Sequence, residues 1–425
     1  INAGSDGIKS TYDTDTTKGN VIIEGGNITI KASNDGIQAE NILVINDGTI
    51  NIKTNNGAAD TTQTHTDNMY MGRGGFGFNN KTTTTRDDTA ESRKGIKAGN
   101  MLIINDGDIT IDSDDDSVHC NSEIYIYGGT INAATGDDGV HADDLLTVNG
   151  GTINITQCYE GIEADDIVIN DGDISVVSSD DGINSSDGSI TINGGNLLIN
   201  ASGDGLDANG SIIINGGYIV VLGPTSDGDT AIDYDDSCTI NGGTVMAFGS
   251  SGMLEIPKGA SNGACIVTAF TSVSGGSKYT LSDSNGNEIL SYTPSKAYAA
   301  AIVYSDKITT GNTYNITAGS TTLSIEVTSD VASNVSSGFG GAGGMNKPGN
   351  GGSGMPNNGS SDNGMNGNSN GSMPDMSGNG APDMNGNSSG DMPSMGGNSS
   401  NNSGNMPNMN NGSSNGNAPQ MNNRM

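Results

Sequence analysis

Residues Gly136 to Thr156 read GDDGVHADDLLTVNGGTINIT, and variants of this stretch recur nine times before Gly249. The recurrence is easiest to follow at the second glycine of the turn inside each copy. Aligned there, the copies fall at Gly26, Gly48, Gly107, Gly129, Gly151, Gly172, Gly195, Gly217 and Gly243. Successive steps are 22, 59, 22, 22, 21, 23, 22 and 26 residues. A near-constant period of this length predicts a solenoid in which each copy forms one coil.

Each copy contains three short segments in which apolar and polar residues alternate, separated by Gly, Asn and Asp turns. Alternation with a period of two predicts β-strands, and no copy holds enough helix-periodic residues for an α-helix. The apolar pairs of the second segments form columns at Val21/Ile23, Leu43/Ile45, Leu102/Ile104, Ile124/Ile126, Leu146/Val148, Ile167/Ile169, Ile190/Ile192, Ile212/Ile214 and Cys238/Ile240. The third segments give columns from Ile28/Ile30 to Val245/Ala247. Because strand side chains alternate between faces, these columns predict the core of an all-β parallel β-helix with about nine coils.

An asparagine column supports the same register. Asn stands two residues before the aligned glycine at Asn46, Asn105, Asn149, Asn170, Asn193, Asn215 and Asn241. Stacked amide side chains can hydrogen-bond from coil to coil, and Asn tolerates the left-handed backbone conformation that we expect at such a corner. We interpret the column as a structural ladder.

The composition favours narrow coils and partners other than polyanions. Among 425 residues there are 67 Gly and no Trp, and the aromatic fraction is 4%. The formal net charge is −33, which repels nucleic acid and anionic membranes and points instead to cations. Since no apolar run reaches 18 residues, we expect no transmembrane helix.

The start of the sequence bears on localisation. The chain begins at Ile1, already inside a coil, so we expect that an export signal has been removed. We therefore expect a secreted or cell-surface protein, and we expect it to be a monomer.

The presence or absence of the 22-residue repeat divides the chain into three parts. The coils occupy 1–249 and are interrupted by an insertion at 55–93, which carries Arg73, Arg86, Arg93 and the run RGGFGF. Such a loop on a rigid solenoid either provides binding contacts or is a disordered decoration. Residues 250–337 lose the period and predict a small antiparallel β cap, since a solenoid must cover its last coil. Residues 338–425 are rich in Gly, Asn, Ser, Met and Pro, and we expect a disordered tail.

Acidic residues form further columns beside the first strand of the coils, the D-G-I-x-A strand. They precede it in most coils, often as a pair, and a second acidic cluster follows it. The candidate metal ligands are Asp115, Asp116, Asp137, Asp138, Asp143, Asp144, Glu160, Asp165, Asp166, Asp180, Asp181 and Asp204.

Stacking makes these columns costly without a cation. Equivalent residues of neighbouring coils lie about 4.8 Å apart. Two carboxylates at that distance repel by about 3 to 4 kcal/mol at an effective dielectric constant near 20. Calcium binds oxygen at about 2.3 to 2.6 Å, so one ion fits between carboxylates of two coils. The alternative is that each aspartate accepts backbone hydrogen bonds in an Asp-Gly turn, which explains single aspartates better than doubled ones. We predict several calcium ions.

The outward positions of the D-G-I-x-A strand form the predicted binding face. It comprises Lys97, His119, His141, Glu163 and Asp207, with Arg73 of the insertion added. Coil three reads RKGIKA where other coils carry acidic residues, which argues against a calcium site in that coil.

The coil pattern SDDGI-x-A-x-x-x-I-x-I-N-G-G-x-I-x-I, followed by a β unit and a Gly/Asn-rich tail, resembles a family of secreted bacterial carbohydrate-binding proteins whose structures are similar to pectate lyases. The likeness covers about 1–330 and is most specific in the D-D-G-I-x-A and I-N-G-G elements. It implies a right-handed parallel β-helix with bound calcium that binds cellulose and acidic pectic polysaccharide. It implies no catalytic residue.

Three functions remain open from the sequence. The first is non-catalytic, calcium-dependent binding of polysaccharide, acidic rather than cellulosic, because the lack of Trp argues against aromatic platforms for neutral glucan. The second is a polysaccharide lyase, in which calcium acidifies the proton beside a uronate carboxyl and Lys97 removes it. Lys97 could instead pair with Asp115 or Asp116. The third is a structural surface adhesin.

Overall fold

The computed structural model describes residues 1–12, 14–15, 17–58 and 92–335. Within these ranges all regular secondary structure is β-strand, and no helix capable of crossing a membrane occurs there. The greater part of the predicted insertion, with Arg73, and the predicted disordered tail at 338–425 lie outside the described residues.

Sheet one is built from the D-G-I-x-A strands, one from each coil, all parallel. Its strands are Ile8–Ser10, Ile37–Ala39, Ile96–Ala98, Val118–Cys120, Val140–Ala142, Ile162–Ala164, Ile183–Ser185, Leu206–Ala208 and Ile232–Tyr234. The nine strands confirm the predicted number of coils.

Sheets two and three are built from the second and third segments in the same way. Sheet two contains Val21–Ile23, Ile42–Ile45, Met101–Ile104, Glu123–Ile126, Leu145–Val148, Asp166–Ile169, Ile190–Ile192, Ser211–Ile214, Ser237–Ile240 and Gly259–Ala260. The parallel strands of sheet three are Asn2–Ala3, Asn27–Ala32, Thr49–Thr54, Asp108–Ser113, Thr130–Thr135, Thr152–Cys158, Asp173–Ser178, Asn196–Asn200, Tyr218–Leu222 and Thr244–Gly249. The chain therefore forms a parallel β-helix with three sheets.

The pairing register follows the sequence period, including across the long step. Val118 pairs with Val140, one coil further on. Ile37 pairs directly with Ile96, although 59 residues separate them. Coils two and three are therefore direct neighbours in the stack, as the position of the insertion in the sequence predicts.

The predicted inward columns form the core. From coil two onwards the apolar pairs of sheet two are essentially inaccessible, for example Leu43, Ile169 and Ile240 at 0% exposure. β-Branched side chains suit this narrow interior because they pack well on a pleated surface and lose little rotamer freedom there. The core is continuous along the stack and reaches the first strands of the cap.

The asparagine column is a hydrogen-bonded ladder. Five of the side-chain amides donate to the amide oxygen of the Asn in the preceding coil at 2.8–2.9 Å, namely Asn105, Asn170, Asn193, Asn215 and Asn241. Asn46 donates to the Glu24 carboxylate of coil one instead. The expectation that Asn occupies a left-handed corner is wrong. Positive φ belongs to the aligned glycines, for example Gly151 at 91°, and none of the ladder asparagines adopts it. Glycine adopts the left-handed conformation at the corner because it has no Cβ to clash there. The Asn side chains link the corners of successive coils by hydrogen bonds.

The last coil is covered by an antiparallel unit, as predicted. Strands Tyr298–Ser305 and Ala264–Val273 continue sheet three in antiparallel orientation, and Val331–Ser333 follows at its edge. A four-stranded antiparallel cap sheet comprises Tyr279–Asp283, Glu288–Tyr292, Thr313–Ala318 and Thr321–Glu326. The cap has its own apolar core, in which Phe248 of the last coil packs edge-on against two tyrosine rings. The parallel stack therefore does not end in an open sheet-three edge.

The inward assignment predicts a large difference between two neighbouring positions. Ile169 is fully buried, whereas Val168 points outward and is partly exposed. Ile169→Asp would bury an uncompensated carboxylate between coils and should lower the free energy of unfolding by several kcal/mol. Val168→Asp is the matched control and should cost far less. Denaturant unfolding of both variants checks this, and equal losses would contradict the assigned faces.

Candidate functional site

A column of residues precedes the strands of sheet one and lies at the corner of every coil. We call it the turn column, and its members are Asp6, Asp35, Lys94, Asp116, Asp138, Glu160, Asp181, Asp204 and Thr230. The residue that follows each member donates its backbone N–H to the carbonyl of the next member, as from Gly161 to Asp181 at 3.0 Å. These bonds hold the turn-column side chains in register from coil to coil.

The aspartates of the turn column also support the stack with one side-chain oxygen each. Oδ1 of Asp138 accepts the backbone N–H of Glu160 at 3.3 Å, and Oδ1 of Asp181 accepts that of Asp204 at 2.6 Å. Asp6, Asp35 and Asp116 make the same contact with the next coil at 2.8–3.2 Å. The expectation that these aspartates accept backbone hydrogen bonds therefore holds for Oδ1 of each. The second oxygen of Asp116 contacts Lys94 and His119, and that of Asp138 contacts His141. The hydrogen bond to the next coil uses only Oδ1 of Asp181, so the metal interpretation is compatible with the turn bond there.

Lys94 takes the turn-column position of coil three and is the cation that pairs with the acids of coil four. Its Nζ lies 2.9 Å from Asp115 Oδ1 and also contacts Asp116 Oδ2, and the lysine is only 4% exposed. Burial opposes the charge on Lys94, but the two carboxylates raise its pKa above the ordinary value. Burial likewise opposes the charge on Asp116, but Lys94 and His119 hold its pKa well below the usual range.

Lys97 does not make the ion pair considered for it from the sequence. Its Nζ contacts the Ser92 hydroxyl at 3.4 Å, and its strand places it between Gln38 and His119 in the outward column. The ion-pair partner of Asp115 and Asp116 is Lys94, three residues earlier in the RKGIKA stretch.

The two predicted histidines lie side by side on sheet one. His119 pairs with His141 in the strand register, and their ring centroids are 4.9 Å apart. His119 is held by Asp116 Oδ2 at 2.8 Å on Nδ1 and by Asn121 Oδ1 at 2.9 Å on Nε2. Glu163 follows in the same outward column, and Asp207 lies two coils beyond it.

Three groups of carboxylates bring oxygen atoms within 4.8 Å of one another. The coil-four group is Asp115, Asp116 and Asp137, the coil-six group is Glu160, Asp180 and Asp181, and the coil-eight group is Asp204, Asp207 and Asp233. Seven of these nine residues were candidate ligands from the sequence, Asp207 was assigned to the binding face, and Asp233 had no assigned role. Because Lys94 already neutralises part of the coil-four group, the coil-six and coil-eight groups fit a calcium ion better.

Burial among like charges favours the protonated form of several carboxyls in the coil-six and coil-eight groups. Burial first, and then the neighbouring carboxylates, raise the pKa of Glu160 to about 10 and that of Asp181 to about 8. The same causes raise the pKa of Asp204 to about 9 and that of Asp207 to about 7. A divalent cation would supply the compensating charge and restore the ionised form. Oxygen ligands from two successive coils are the kind that calcium takes.

The second acidic cluster is arranged differently. Asp144 accepts a hydrogen bond from the Ser122 hydroxyl at 2.7 Å, and Asp165 accepts one from the Ser186 hydroxyl at 3.0 Å. Asp166 accepts the Ser189 backbone N–H at 2.9 Å, and Asp143 lies beside His141. The structure places none of these four in the three all-oxygen groups. Their predicted role as calcium ligands therefore gains no geometric support.

An aromatic pair lies on the outer face of sheet two, where the sequence reasoning assigned no site. Tyr125 and Tyr127 stack with ring centroids 6.5 Å apart and planes 16° from parallel, and Tyr127 is 53% exposed. Tyr127 stands at the ladder position where other coils carry Asn. This departure from the asparagine column is the sequence signal that could have revealed the aromatic pair.

Comparison with known proteins gives one match. A family model described as "Carbohydrate-binding domain-containing protein" matches residues 1–139 and again residues 137–338. No match was found among curated proteins or among solved structures.

The Lys94 ion pairs predict a specific loss of stability. Lys94→Ala would leave two buried carboxylates without their cation and should lower the free energy of unfolding by about 3 to 5 kcal/mol. Lys97→Ala is the matched control and should change it by no more than about 0.5 kcal/mol. Urea unfolding of both variants distinguishes them, and a larger loss for Lys97→Ala would show that the pairing is misassigned.

The raised carboxyl pKa values predict how stability depends on pH. In the chelated protein the folded state binds more protons than the unfolded state, because the folded pKa values of Glu160, Asp181 and Asp204 exceed the ordinary ones. Stability should therefore fall as pH rises from about 4, the ordinary pKa of a carboxyl, to the raised values of about 8 to 10, and should level off above them. Calcium binds only the ionised groups, so the increase in melting temperature that it gives should grow over the same range.

Thermal unfolding followed by circular dichroism, with excess calcium or excess chelator at about pH 6 and about pH 9, measures this dependence. Identical melting curves with calcium and with chelator at both pH values would contradict it.

Proposed function

Because the chain belongs to the family of carbohydrate-binding domain-containing proteins, we propose that it binds an acidic, uronate-containing polysaccharide through calcium, without catalysis, outside the cell. The observation that supports this most directly is the alignment of the coil-six and coil-eight groups on one face of the β-helix. Uronate carboxylates would complete the coordination of ions that these groups hold only in part.

Charge makes the cation necessary. The chain carries a formal net charge of −33, so a polyanionic glycan is repelled unless cations lie between the two. Calcium accepts six to eight oxygen ligands, and three carboxylates fill only part of that number. The remaining positions are available to glycan oxygens, and this gives calcium a direct role in binding.

The N-terminal half of the same face offers a second means of contact. Lys9 and Lys97 belong to the outward column, whereas Asp207 and Asp233 occupy its C-terminal half. A glycan carboxylate can pair with Lys97 directly, since that ammonium contacts the Ser92 hydroxyl at 3.4 Å and makes no ion pair with a described residue. The face would bind one glycan by ammonium groups at one end and by calcium at the other.

Catalysis is less well supported than binding. A lyase needs a base beside its metal, and the buried lysine of the turn column, Lys94, has a raised pKa and keeps its proton. Lys97, the predicted base, lies on the coil-three strand, three coils before the coil-six group. The coil-six and coil-eight groups contain only carboxylates.

A second candidate surface is the tyrosine pair on sheet two. Parallel aromatic rings exposed on a flat sheet can pack against the apolar faces of sugar rings. Tyr125 and Tyr127 provide such a surface for a neutral glycan, independently of calcium. Binding that survives chelation and is lost in Tyr127→Ala would assign the glycan site to sheet two.

Binding to pectate and to cellulose tests the proposal. Pull-down of the full chain on pectate should require calcium and be abolished by chelator. Asp181→Asn and Asp204→Asn keep the shape of the side chain and the Oδ1 acceptor but remove the charge, and each should weaken pectate binding at least about tenfold. Asp187→Asn is the control, because Asp187 is exposed and lies outside the three groups.

The same samples separate the alternatives. Release of unsaturated uronate products, followed by their ultraviolet absorbance, would indicate a lyase. Binding to neither glycan would favour a structural adhesin. Pectate binding that is equally strong with chelator would contradict the calcium-mediated mechanism.

A further inference from the structure

The imidazole of His141 is surrounded by three carboxylates. Nδ1 lies 2.9 Å from Glu163 Oε2 and 3.1 Å from Asp138 Oδ2, and Nε2 lies 3.3 Å from Asp143 Oδ1. An imidazole nitrogen carries at most one hydrogen, so Nδ1–H cannot make a full hydrogen bond to both carboxylates at once. A metal ion at Nδ1 could bind both.

The β-helix fixes this arrangement. Asp138 and His141 belong to coil five, where they flank the start of its sheet-one strand. Glu163 is the strand partner of His141 in coil six. The ligand atoms of Asp138, His141 and Glu163 all lie within 4.8 Å of one another. The three side chains are therefore brought together by strand register, with no loop rearrangement.

The donor set differs from that of the calcium groups. One imidazole nitrogen and two carboxylates suit zinc and related divalent transition ions, whereas calcium takes oxygen ligands. A metal-binding histidine usually donates its other ring N–H to a carboxylate, and Asp143 stands at that position on Nε2. We propose that His141 Nδ1, Asp138 and Glu163 bind one zinc-type divalent ion, with Asp143 orienting the imidazole.

The neighbouring group with His119 is a poorer site. It consists of Asp116, His119 and His141, but Asp116 Oδ2 already contacts the buried ammonium of Lys94. A metal there would lie beside a fixed positive charge. On the other side, the side chains of His141 and Glu163 are 18% and 20% exposed, so an ion can enter from the surface. Three protein ligands also leave a coordination position open to solvent or to a ligand.

Zinc binding in excess calcium tests the site independently of any glycan. The chelator-treated full chain, dialysed into calcium buffer, is titrated with zinc by calorimetry. We expect one zinc site that excess calcium does not fill. His141→Gln and Glu163→Gln should weaken it more than about 100-fold, and Asp143→Asn about tenfold, as expected for the partner of a metal ligand.

His119→Gln is the matched control and should keep zinc affinity within about twofold of the parent, with Co²⁺ absorption as a second readout of imidazole coordination. The calcium-induced rise in melting temperature should persist in His141→Gln, which shows that this variant is folded. No zinc binding by the parent, full competition by calcium, or unchanged affinity in His141→Gln would overturn the proposal. Loss of zinc in His119→Gln would also overturn it, because it would move the ion to the Asp116 side.

Discussion

The structure depends on the coil-to-coil hydrogen bonding of parallel strands. Each residue lies one strand spacing, about 4.8 Å, from its counterpart in the next coil. For the inward columns this spacing is favourable, because apolar side chains such as Ile, Leu and Val stack on one another from coil to coil. For the asparagine column it is also favourable, because an amide both donates and accepts. For a carboxylate column it is not, because ionised neighbours repel.

The chain compensates the carboxylates in different ways along its length. In coils three and four the buried ammonium of Lys94 supplies the charge within the protein. In coils five and six His141 stands among acids that converge on it. In the coil-six and coil-eight groups, burial and neighbouring carboxylates raise carboxyl pKa values to between about 7 and 10. These are the positions at which an external ion changes the electrostatics most, and this is why we assign glycan binding to them.

The sequence predicts the fold better than it predicts the site. Apolar and polar residues alternate along each strand and repeat in every coil, which places Ile169 and Leu43 on the inward face of their strands. The three sheets and their register therefore follow from the spacing of residues along the sequence. Which side chains contact one another does not follow from sequence spacing. Lys94 and Lys97 are three residues apart in one stretch, and only the turn geometry places Lys94 against Asp116. The left-handed corner likewise depends on φ, which the glycine adopts and the asparagine does not.

The central claim is that cations occupy the carboxylate groups between coils, and their direct observation is the sharpest test. Crystals grown with calcium and soaked with a lanthanide, whose anomalous scattering marks calcium-type sites, would give a difference map over the whole solenoid. The account predicts peaks among Glu160, Asp180 and Asp181 and among Asp204, Asp207 and Asp233. A map without a peak in either group, with the second oxygens hydrogen-bonded only to protein or water, would contradict it.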